Sequence, residues 1–114
     1  MTPIPATPRG LRASGKRLWT WYSTQFELSE SELTVLREIC RTADALDQLQ
    51  AAVDRDGVLA ESSQGIRCHP ALTELRQQRI TFARLLAALK VDEESAADDL
   101  PSARPPRGVY GVVS

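Results

Sequence analysis

GIRCHPALTELRQQRITFARLLAALKV, residues 65–91, turns from a short extended piece through His69 and Pro70 into a long amphipathic helix. Pro70 suits the first helical position, where its missing N–H would have no partner, and it biases His69 toward an extended backbone. Leu72, Leu75, Phe82, Leu86 and Leu89 keep a three-four spacing, so they form one apolar stripe. Arg76, Arg79, Arg84 and Lys90 lie around that stripe. The spacing predicts a helix from Pro70 to about Lys90.

Working upstream, VLAESSQGIRC contains two strand-like pieces, Val58–Glu61 and Ile66–Cys68, on either side of a turn-rich Ser62–Gly65. A β-hairpin is expected there. Before it, Ser29 and Glu32 have capping-box spacing, and Leu28 and Leu33 occupy hydrophobic-staple positions. A helix should therefore start at Glu30 and carry Leu33, Leu36, Cys40, Ala43, Leu46, Leu49 and Val53 along one face to about Asp54. Gly57 just beyond can end it. Val35 and Ile39 widen the face, which suits a helix with more than one neighbour. A first helix is expected from a Ser14 cap to about Phe26, with Leu18, Trp19, Tyr22 and Phe26 facing the core. Trp21 falls off that stripe.

The predicted class is mainly α: three helices, the last two in a long antiparallel hairpin, with a small two-stranded β-hairpin between them. Residues 1–10, with Pro3, Pro5 and Pro8, read as a flexible arm whose charge begins at Arg9. Residues 11–91 form the core, and 92–114 an acidic, proline-rich tail expected to be largely unstructured. A core this small buries a limited share of its surface, which favours self-association.

The net charge of -1 hides segregation. Residues 1–26 carry Arg9, Arg12, Lys16 and Arg17 and no acid, whereas residues 27–61 carry nine acids against Arg37, Arg41 and Arg55. Residues 62–90 are basic again, and 91–100 acidic. Such blocks fit a local polyanion site, with pairing between blocks as the alternative for the second basic one. No run reaches the length of a membrane span and the start lacks a secretory apolar region, so a soluble intracellular protein is expected. In a reducing compartment Cys40 and Cys68 should remain thiols.

Chemistry finds few footholds. Gly10–Arg17 matches the first seven positions of a P-loop, but Arg17 replaces the magnesium-binding hydroxyl and no buried strand precedes it. Cys40, Cys68 and His69 supply three possible zinc ligands without diagnostic spacing. His69 reads as a cap or packing residue at the helix entry, and Asp44 and Asp47 as members of a solvated helix face. No catalytic constellation, cofactor or metal is expected. Arg9, Arg12, Lys16 and Arg17 are the candidate phosphate-binding residues, with Arg76, Arg79 and Arg84 the alternative.

The chain resembles the small terminase subunits of tailed bacteriophages, in their short helical form. The resemblance is carried by Gly15–Trp19, Leu36–Cys40, Asp44–Leu49, Gly65 and His69–Arg76, in that order, and covers about residues 10–91. It implies a non-catalytic packaging factor in the host cytoplasm that forms a ring of roughly eight to twelve copies through the helical hairpin. It further implies engagement of viral double-stranded DNA and of the large ATPase-nuclease subunit; Val109, Tyr110, Val112 and Val113, in the apolar end of the tail outside the resemblance, are the candidates for the latter contact. A small dimeric helical DNA-binding regulator is the alternative.

Overall fold

The computed structural model describes residues 3–98. The described residues form three helices, α1 (Ala13–Gln25), α2 (Glu30–Asp56) and α3 (Pro70–Asp98), with a hairpin of β1 (Leu59–Ser62) and β2 (Gly65–Cys68) between α2 and α3. Both α1 and α3 pack on α2.

α2 begins where local chemistry says it should. Ser29 Oγ accepts from the Glu32 N–H at 3.2 Å, and Glu32 Oε1 accepts from the Ser29 N–H at 2.8 Å, so two N–H groups that the helix cannot satisfy are paired reciprocally. Leu28 and Leu33 both pack into the core beside this box. The helix ends at Gly57, whose φ of 86° is left-handed and open to glycine, and whose N–H returns to the Val53 carbonyl at 2.7 Å. Two turn residues, Ser63 and Gln64, then join antiparallel strands in which Leu59 faces Cys68 and Ser62 faces Gly65. Leu59 and Ile66 remain exposed on the hairpin.

Ile39 and Cys40 are fully buried, as a helix with neighbours on two sides requires. They join Leu11, Trp19, Leu36 and Leu89 in one cluster, with Phe82, Leu85 and Leu86 packed against it. A second cluster, Val53, Ala71 and Leu75, lies between the hairpin-proximal ends of α2 and α3. Leu72 joins it, so the stripe on α3 faces α2 along its length.

Three expectations differ in position. α1 does not start from a Ser14 cap: its N-cap residue is Arg12, which has no side-chain capping bond. α3 runs past Lys90 to Asp98, because no proline or glycine interrupts the chain before Pro101. The expected free arm touches α1 at Pro5, whose carbonyl accepts from Trp19 Nε1 at 3.3 Å. Val109, Tyr110, Val112 and Val113 lie outside the described residues.

Candidate nucleic-acid interface

α1 carries no acid in its first turn and no capping side chain of its own, yet the N–H groups of Arg12 and Gly15 at its start are satisfied. The satisfaction comes from α2. Asp44 Oδ1 accepts from the Gly15 N–H at 2.7 Å and Oδ2 from the Arg12 N–H at 2.6 Å. In a local capping box the N-cap side chain would take the first of these and the third helical residue the second. Here one carboxylate from another helix does both. One turn further along α2, Asp47 Oδ2 accepts from Ser14 Oγ. Asp44 is therefore not on a solvated face; it is 6% exposed, because the start of α1 is laid across it.

This junction fixes the four candidate phosphate-binding residues in space. Arg9 and Arg12 line a cleft of about 240 Å³ together with Arg41, Asp44 and Gln48. Lys16 and Arg17 lie on the outer side of α1, beside a second, open groove. The four side chains are exposed, and none makes an ion pair or side-chain hydrogen bond among the described residues. Arg41 is engaged, pairing with Glu38 at 2.9 Å. Both oxygens of Asp44 are occupied by backbone N–H groups, so the carboxylate is tied to the backbone rather than to the arginine side chains around it.

The alternative set is spread along α3. Arg79 Nη2 donates to Gln50 Oε1 on α2 at 3.2 Å, while Arg76 and Arg84 are exposed. Pairing of this second basic block with acids of α2 does not occur among the described residues; Arg79 meets an amide instead.

His69 holds the entry to α3. Its Nδ1 accepts from the Ala71 N–H at 3.0 Å, which leaves the proton on Nε2 to donate to Asp56 Oδ2 at 2.9 Å. Arg55 first, and His69 second, hold the Asp56 carboxyl well below its ordinary value. A depressed folded-state pKa stabilises the fold above the ordinary value of 3.8 and ceases to do so as pH falls through the depressed one. In urea unfolding, the advantage of wild type over Asp56→Asn should be level at and above about pH 5 and shrink on acidification. An advantage that grows as pH falls would reverse the assignment.

Cys40 and Cys68 are both free thiols. Burial pushes Cys40 up to about 12, with Asp44 adding to the rise, so it is a protonated packing residue at neutral pH. Among the described residues, no three His, Cys, Asp or Glu side chains gather as a metal site would. No helix of the described residues is long and apolar enough to cross a membrane. Sequence comparison adds no relative: no family model, no curated protein and no solved structure matches the chain.

Proposed function

We propose that the chain is a small terminase subunit, a non-catalytic factor that engages viral double-stranded DNA during genome packaging in the host cytoplasm. The observation that carries the DNA-binding part is the junction that Asp44 makes between α2 and the start of α1. There Arg9 and Arg12 line one cleft and Lys16 and Arg17 a second groove, all four exposed and without an ion pair among the described residues. Cations in the opening turns of a helix oppose its macrodipole, so their placement there is better suited to an incoming anion than to helix stability. Self-assembly into a ring through the α2–α3 hairpin follows from the resemblance, and the small core supports it. Val109, Tyr110, Val112 and Val113 are proposed to meet the large ATPase-nuclease subunit.

The test replaces Arg9, Arg12, Lys16 and Arg17 with alanine. Truncation is unsuitable, because Leu11 belongs to the core and α1 begins at Ala13. Wild type should bind duplex DNA with an affinity that falls steeply with salt, and the fourfold variant should bind weakly with a log-log slope shallower by about 3 to 4. An unchanged slope would move the site to Arg76, Arg79 and Arg84. Native mass spectrometry should show a closed ring of roughly eight to twelve copies. A dimer that binds a short palindrome tightly would instead establish the regulator.

A further inference from the structure

Trp21 is 46% exposed, whereas Trp19, two residues earlier, is 2% exposed. Two residues turn the helix by about 200°, so the two indoles lie on opposite faces of α1. Gly15, Trp19 and Ser23 are buried, and Trp21 points away from that face. It is braced by two neighbouring rings: its centroid lies 4.8 Å from that of Tyr22 and 5.8 Å from that of Phe26, both in edge-to-face arrangements. Lys16, Arg17, Thr20 and Thr24 complete an open groove of about 510 Å³ around it. α1 contains no acidic residue.

We propose that this groove binds a single-stranded nucleic-acid segment, with an unstacked base against Trp21 and the adjoining phosphates on Lys16 and Arg17. This rests on the DNA-binding reading and extends it to a strand form. The indole, held by its neighbours, offers a stacking surface at little cost in side-chain entropy. Two cations one helical turn before it supply the electrostatic complement to a phosphate backbone. Duplex DNA satisfies only half of this arrangement, because its bases are already stacked and present no free face. A symmetric contact of this face with the same face of a second copy fits less well, since burying Trp21 would also desolvate Lys16 and Arg17 without an acid on α1 to pair them.

The experiment titrates full-length wild type, Trp21→Ala and Trp21→Phe with a short oligothymidine strand and with duplex DNA, following tryptophan fluorescence and anisotropy of labelled DNA. Circular dichroism confirms that the helices are retained. In wild type the single strand should quench the exposed Trp21. Trp21→Ala should weaken single-strand binding about 10-fold and duplex binding less than about 2-fold, with Trp21→Phe in between. Duplex binding by wild type together with equal single-strand affinity in all three proteins would overturn the stacking site and leave the DNA reading standing. Failure of wild type to bind either form would overturn both. A Trp21→Ala protein with altered native mass but unchanged single-strand affinity would give this face to a contact between copies, overturning the proposal.

Discussion

Asp44→Ala is expected to destabilise the protein by about 2 to 4 kcal/mol, a larger effect than any other single carboxylate truncation in the described residues. Two backbone donors, the Arg12 and Gly15 N–H groups, lose their acceptor together, and the second lies in a buried setting where water cannot replace it. An unsatisfied buried donor costs about 1 to 3 kcal/mol, and loss of an ordinary N-cap about 1 kcal/mol. Surface ion pairs such as Arg41–Glu38 operate on a smaller scale, about 0 to 1 kcal/mol. Asp44→Asn should be intermediate: its carbonyl can serve one donor, but its NH2 meets the other N–H head on. The effect is read by urea or thermal unfolding, where the alanine variant should melt roughly 10 °C or more below wild type. A loss under about 0.5 kcal/mol would mean that the start of α1 does not depend on α2. Because the same carboxylate holds the Arg12 backbone, Asp44→Ala should also weaken duplex binding, although it removes a negative charge from the cleft that Arg9 and Arg12 line. Charge alone predicts the opposite sign.

What could be read from the sequence, and what could not, divides along the distance between partners. The start of α2 was legible because Ser29 and Glu32 are three residues apart and satisfy each other. The hairpin and the entry to α3 were legible from the Ser62–Gly65 turn and Pro70, and the packing of α2 on two sides from Val35 and Ile39. Asp44 was misread as a solvated residue, since its partners at Arg12 and Gly15 lie 32 and 29 positions away. Ser14 beside the start of α1 offered a plausible local cap, and its hydroxyl turns out to reach Asp47 instead. The usable signals were an N-cap position occupied by arginine, a glycine in the first turn, and an aspartate flanked by Ala43 and Ala45 beside the apolar stripe. Of the candidate site, the four basic residues were legible as charges. Their display on a fixed backbone was not, because the residue that fixes it belongs to the acidic block.

Gly15→Ala should be the second large loss, and its sign separates packing from propensity. In a helix, replacing glycine by alanine ordinarily stabilises by about 1 kcal/mol, since alanine has less backbone entropy to lose. At Gly15 the added Cβ would lie 2.9 Å from the Cys40 carbonyl oxygen and 3.0 Å from Asp44 Cγ, and closer still to Asp44 Oδ2. The Cys40 carbonyl is backbone of α2 and cannot swing aside, and Asp44 is held by its two hydrogen bonds. Relief therefore means lifting the start of α1 off α2, which lengthens both bonds to Asp44 and loosens Leu11 and Trp19 in the core. Steric strain of this kind costs about 1 to 3 kcal/mol, and the weakened capping adds to it. The net expectation is destabilisation by about 2 kcal/mol despite the gain in helix propensity. Combining Gly15→Ala with Asp44→Ala checks the mechanism. With the carboxylate gone, much of the clash goes too, so the double variant should be more stable than the sum of the single losses by about 1 kcal/mol or more. Strict additivity would show that Gly15 and Asp44 act independently, contrary to the geometry of their contact.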